Sequence, residues 1–179
     1  MGMSTHAKAH SPFHAGELAV QARSGVLDRA ALLGKMFRPY LTEQHREFFA
    51  QLPLLFVGYL DDAGQPWASA LFGAPGFVSS PDPRTLSVEA RPTAADPLHA
   101  ALRPGARVGV LGIELPTRRR NRMNGRVRAL TAQGFTLEVD QSFGNCPKFI
   151  SARAPEPVQR TAAGPPPRRA RSSQMQPQR

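Results

Sequence analysis

Between Pro53 and Ser142 the chain is cut into short runs by closely spaced turn signals, and this spacing constrains the fold more than any other feature. Apolar or alternating stretches occupy residues 54–60, 67–72, 85–90, 106–113, 120–131 and 135–142. Between them lie Asp61-Asp62-Ala63-Gly64, Gly73-Ala74-Pro75-Gly76, Ser79-Ser80-Pro81-Asp82-Pro83, Pro104-Gly105 and Gln133-Gly134. Parallel strands need a crossover of about a dozen residues, usually a helix, and most of these gaps are too short to hold one. The pattern predicts a mainly β domain with flanking helices, in which six strands form a small closed barrel.

The flanking helices precede and interrupt the strands. From Phe13 to Leu52 the composition favours helix. Thr42 is placed to cap a helix that begins with Glu43, presents Phe48, Phe49 and Leu52 to a core, and stops at Pro53. Asp96-Pro97 should open a second, short helix running to Leu102, with Asp96 as its cap.

The 179 residues carry a net charge of +10, but the charge is concentrated. Residues 118–128 hold six arginines and no acid, and residues 151–179 hold six arginines and one acid. The remainder carries 11 basic and 12 acidic residues, a net of −1. A surface that coats duplex DNA non-specifically is therefore not expected. Residues 1–12 are read as a disordered N-terminus, residues 13–153 as the folded domain, and residues 154–179 as a disordered tail rich in Pro and Arg.

The arginine strip is the most informative stretch. In an extended strand Arg118, Arg120, Arg122, Asn124, Arg126 and Arg128 share one face, and Asn121, Met123, Gly125 and Val127 the other. Their mutual repulsion must be offset by an anion, by acids from another strand, or by water. A phosphate-bearing ligand answers that need, because guanidinium forks bind phosphate oxygens bidentately. Gly125 would then allow close approach of a ligand. Asn124-Gly125 could instead form a hairpin turn, although that would set arginines against arginines.

Other candidates are weaker. Cys146 is the lone cysteine, so no internal disulfide forms, and it is expected to pack where its segment crosses the barrel mouth. His45 with Glu43 and Glu47 has the wrong helical spacing for a metal site. His99 is read as a surface residue, and Trp67 as a core residue with stacking on a planar ligand as the alternative. No Ser/His/Asp ordering, P-loop or dinucleotide-binding glycine motif is present. The N-terminus lacks the apolar stretch of a secretory signal, and the longest apolar run is far short of the roughly 20 residues a membrane helix requires, so a cytoplasmic protein without membrane contact is expected.

Five segments together resemble a known family: Leu52-Pro53-Leu54, Asp61 to Trp67, Gly73-Ala74-Pro75-Gly76-Phe77, Arg119 to Val127, and Gln141 to Ile150. They are similar to the pyridoxamine 5′-phosphate oxidase-like FMN-binding proteins, in particular the branch often fused to ferredoxin-reductase modules. The resemblance implies a split β-barrel that dimerises, with FMN held between the subunits. By position, Ser69, Ala70 and Leu71 match the strand whose backbone lies along the flavin. Arg120, Arg122 and Asn124 match the strand that reaches flavin or substrate, and Lys148 is a further candidate contact to FMN. The Ser-Arg-Lys phosphate contact of the vitamin B6 oxidases is replaced by Pro92-Thr93-Ala94-Ala95-Asp96, which argues against that activity. No reductase motif follows Arg153, so a separate reductase would have to supply electrons, and whether the chain derives from a reductase fusion stays open.

The expected function is thus an FMN-dependent oxidoreductase acting on a small molecule, as a homodimer. Two alternatives remain: a non-enzymatic flavin or haem carrier or sensor, and an RNA-binding module using the strip and tail. The strip lacks the interleaved aromatics that stack on bases, which counts against the last.

Overall fold

A computed structural model describes residues 11–156. The expected disordered N-terminus and tail fall almost entirely outside these residues. Four helices and seven strands follow in order: α1 (Ala15–Arg23), α2 (Leu27–Gly34), α3 (Glu43–Ala50), β1 (Leu54–Leu60), β2 (Pro66–Phe72), β3 (Val78–Asp82), β4 (Thr85–Val88), α4 (Leu98–Ala101), β5 (Arg107–Glu114), β6 (Arg119–Leu130) and β7 (Phe135–Asn145). One sheet contains all seven strands in the order β2-β1-β5-β6-β7-β4-β3, and every pairing is antiparallel.

The expectation of six strands is corrected to seven. Residues 78–82 were read as a break because of Ser79, Ser80 and Pro81. They form β3, an edge strand, where a proline removes no hydrogen bond that the sheet needs. Asn124-Gly125 is not a hairpin turn, because β6 runs unbroken through it.

Alternation decides which side chains enter the core. Leu55, Val57 and Tyr59 of β1, Val108 and Val110 of β5, Met123 and Val127 of β6, and Leu137 and Val139 of β7 are all buried. The even-numbered face of the arginine strip points outward, as its period of two predicts. Helix α3 closes one end of the barrel. Thr42 caps it by accepting from the His45 N–H, and Phe48, Phe49 and Leu52 are almost fully buried. A Cβ on Gly112 would come within 2.5–3.0 Å of all three side chains, so the missing side chain in β5 admits the helix. Burying each of them stabilises the fold by about 1.5–3 kcal/mol. At another corner of the barrel the short helix is one residue off its expected frame: α4 has Pro97 rather than Asp96 in the cap position and ends at Ala101, while Asp96 Oδ1 still accepts from the Leu98 N–H at 2.9 Å.

The segment before α3 is tied to β7. Arg38 and Ser142 exchange two backbone hydrogen bonds of 3.0 and 2.7 Å. The Ser142 hydroxyl donates to the Tyr40 carbonyl at 2.5 Å and accepts from His45 Nδ1 at 3.3 Å. Burial, and then the nearby charges of Arg38 and Arg119, push the His45 pKa below its ordinary value. The folded state therefore binds fewer protons here than the unfolded chain does. This contribution to stability is fully present above about pH 6.5 and is lost as the pH falls through the depressed folded value. Urea midpoints should drop between pH 7 and pH 5, and His45→Gln should flatten that dependence. An unchanged slope in the variant would show that other groups dominate.

Candidate flavin groove on the outer sheet face

The outward residues of five strands line up in rows across the sheet. One row reads Ala68, Gly58, Gly109, Asn124, Gln141, and the next reads Ala70, Phe56, Leu111, Arg122, Phe143. The first row has no side chain larger than a methyl over three adjacent strands. Above it lies an open groove of about 600 Å³, lined among others by Leu60, Trp67, Arg107, Asn124, Asp140 and Gln141. This volume falls in the usual range for small-molecule and cofactor sites.

Each wall has a local cause. In the β1–β2 turn, Asp61 Oδ1 accepts from the Ala63 and Gln65 N–H groups at 2.9 and 2.8 Å, and its Oδ2 accepts from the Trp67 indole at 2.9 Å. These bonds, led by that from Gln65, hold the Asp61 carboxyl below its ordinary pKa. The turn thereby fixes Trp67, which is 42% exposed at the groove edge. The core reading of Trp67 is overturned: although Trp67 pairs with the buried Tyr59, its indole is drawn to Asp61 in the turn and stays exposed.

The opposite wall depends on a bulge. Asn124 pairs with Gln141 and Gly125 with Val139, leaving Asp140 as the extra residue in β7. The bulge reverses the facing of the residues after it, so Gln141 turns outward and Ser142 is buried. Asn124 Nδ2 donates to Gln141 Oε1 at 3.3 Å, and Asp140 pairs with Arg126 at 3.1 Å. Arg107 is exposed and has no ion pair among the described residues. What this wall keeps for a ligand is thus Asn124 Oδ1, Gln141 Nε2 and the Arg107 guanidinium.

The structure distributes the expected site residues unevenly. Asn124 lines the groove. Arg122 is exposed one row away on the same face. Arg120 lies beyond that, with its Nη2 donating to the Cys146 carbonyl at 2.7 Å. Lys148 sits in the loop after β7, with its Nζ 5.2 Å from the centre of the Phe149 ring. Of the three expected residues in β2 only Ala70 faces outward. Ser69 is buried, donating to Asp96 Oδ1 at 2.6 Å and bonded to the Tyr59 hydroxyl at 3.1 Å, and Leu71 is in the core. Burial chiefly raises the Tyr59 pKa, which keeps its hydroxyl protonated. Cys146 is exposed rather than packed in the barrel mouth, because its segment runs along the outside.

Sequence reasoning missed Gly58, Gly109, Arg107 and Gln141. A signal for the glycines was present, since Val57-Gly58-Tyr59 and Val108-Gly109-Val110 each place a glycine inside a strand, a mark of close approach. Gln141 carried none, because strict alternation from Phe135 points it inward.

Comparison with known proteins places the chain in a family. A search of curated proteins returns no significant match. Among solved structures, a provisionally assigned pyridoxamine 5′-phosphate oxidase of Lactobacillus delbrueckii is 17% identical, with a TM-score of 0.47 over 59% of this chain and 95% of that one. HupZ of Group A Streptococcus is 13% identical, with a TM-score of 0.46 over 64% of this chain and 100% of that one. The sequence profile described as pyridoxamine 5′-phosphate oxidase matches residues 41–170. The chain, with its mainly β split barrel, belongs to the pyridoxamine 5′-phosphate oxidase family.

Proposed function

We propose that the chain is an FMN-binding flavoprotein that works as a homodimer and catalyses redox chemistry on a small molecule. The observation that carries this reading is the side-by-side placement of Gly58 and Gly109, which leaves bare backbone as a floor between Trp67 and the Asn124–Gln141 pair. A Cβ on Gly109 would come within 3.3 Å of Asn124 Oδ1, so the cradle depends on its absence. The donor set also fits the cofactor. Two amides suit the alternating carbonyl and N–H edge of an isoalloxazine, and Arg107 suits a phosphate. In this reading Arg107 takes the phosphate role that the sequence suggested for the arginine strip, while Arg122 remains available to the substrate.

When bound, FMN would supply the hydride-accepting ring, and the protein would orient it and exclude water. Trp67, held by Asp61, would close one side, and the Asn124–Gln141 amides would fix the ring edge. Family membership supports flavin-type binding, and the groove supports FMN in particular through its guanidinium.

The dimer rests on the same sheet face. Phe72 is 70% exposed, and Leu54, Phe56, Ala70, Leu111 and Ile113 beside it are only half-buried. An apolar patch of this kind is costly in water, and a two-fold partner would cover it. Among the described residues no helix is long and apolar enough to cross a membrane.

Fluorescence titration of the purified chain tests the reading. FMN should bind with micromolar or tighter affinity and exceed riboflavin by roughly tenfold, the worth of one charged hydrogen bond. Arg107→Ala should remove that preference. Absence of FMN binding would overturn the proposal.

A further inference from the structure

Two basic clusters that are separate in the sequence meet at one end of the barrel. The turn joining β5 to β6 ends on Arg118, and Arg119 and Arg120 follow at the start of β6. The segment that leaves β7 returns to this turn. Arg120 Nη2 holds the Cys146 carbonyl at 2.7 Å, and the Arg153 N–H donates to the Leu115 carbonyl at 3.3 Å. Residues 146–153 are therefore pinned at both ends against the arginine strip, with Lys148 and Phe149 between the pins. Residues 114–120 and 145–156 contain five cations and two acids. One of those acids, Glu114, is engaged by Thr117 and by Arg119 at 4.0 Å. Beyond them, residues 157–179 contribute five more arginines and no acid.

The backbone marks the same place. Among the described residues only Arg118 and Phe149 combine a side chain with positive φ, at 65° and 69°. For such residues this conformation costs free energy, and it clusters where surrounding structure and function demand it. Its effect here is to present a guanidinium and an aromatic ring outward. Phe149 is 92% exposed, with the Lys148 ammonium 5.2 Å from its ring centre. An exposed ring flanked by cations is the combination that binds single strands, where bases stack on aromatics and cations track the phosphates. An acidic peptide would use the charges but leave the ring without a role. The aromatic missing from the arginine strip is thus supplied by the loop after β7.

We propose that the end of the barrel formed by the β5–β6 turn and residues 146–153 is a docking surface for single-stranded nucleic acid, with Arg118, Lys148 and Arg153 on phosphates and Phe149 stacked on a base. This surface is separate from the groove and does not depend on flavin binding.

Fluorescence anisotropy of the full chain with a labelled 15-nucleotide oligouridylate tests it. Three phosphate contacts give a salt slope near −2, so affinity should fall roughly 20-fold between 50 and 200 mM salt. Phe149→Ala should weaken binding roughly tenfold with the salt slope unchanged. The double change Arg118→Ala with Arg153→Ala should weaken binding and flatten the slope, and FMN affinity in both variants should match the parent, which reports an intact fold. A full chain with Arg160, Arg168, Arg169, Arg171 and Arg179 changed to Gln should retain Phe149-dependent binding. The proposal is overturned if Phe149→Ala has no effect, if the five tail changes alone abolish binding, or if polyglutamate or anionic vesicles compete as well as RNA at equal charge.

Discussion

Gly109→Val should lower FMN affinity at least about 100-fold while leaving the melting temperature within a few degrees of the parent. Position 109 faces outward in the middle of β5, so the added side chain enters the groove rather than the core. A Cβ there already meets Asn124 Oδ1 at 3.3 Å, and the two methyls of valine would stand on the floor where a planar ring must lie. Valine also suits a strand, which removes the usual reason for a glycine substitution to unfold a sheet. Calorimetry and flavin titration on the same sample separate the two effects. Retained FMN affinity would place the flavin elsewhere and dissolve the groove assignment.

Gly125→Ala should act in the opposite way, destabilising the fold by about 3 kcal/mol or more. Gly125 faces inward on β6, and a Cβ there would overlap the Glu138 carbonyl of β7, with Met123 Sδ only 3.2 Å away. Both the carbonyl carbon and its oxygen belong to backbone, so no side-chain rotation can relieve the contact. The strand pair must separate exactly where the bulge at Asp140 begins. Urea denaturation with an unchanged m-value would report this loss, and a variant as stable as the parent would show that β7 can shift. The role differs from the one expected from the sequence, where Gly125 was set aside for a ligand. The close approach is real, but the approaching group is the neighbouring strand.

These two glycines show how much of the site was legible. Gly109 pairs with Asn124 across the strands and Gly125 follows it in β6, and both mark close approach, yet one borders the groove and the other a backbone. The choice depends on which face each occupies. For β6 the face followed from alternation, since Met123, Gly125 and Val127 are apolar or small and Arg120, Arg122, Arg126 and Arg128 are charged. For β7 alternation failed after Val139, because one extra residue reversed the facing of Gln141 and Ser142. A bulge leaves no compositional trace in Val139-Asp140-Gln141-Ser142, so its consequence appears only when the two strands are paired.

The charge pattern divides in the same manner. The sequence located both basic clusters and separated them from a neutral body. Folding then changed their relation. Residues 118–120 and 148–153 are brought together by the Arg120–Cys146 and Arg153–Leu115 hydrogen bonds, which link positions 26 and 38 residues apart in sequence. Those are long-range contacts, and local preference says nothing about them.

By itself, the sequence determined the mainly β class, the capped helix that plugs the barrel, the inward and outward faces of the arginine strand, and the family. Each of these rests on local propensity or on a period that survives folding. Only the tertiary structure decided that β3 is a strand, that Trp67 and Gln141 border a groove floored by two glycines, and that Phe149 joins the arginines. Each of those depends on the pairing partner of a strand or the return path of a loop, and the physical reason is the same: register and close packing are properties of two segments at once, which neither segment carries alone.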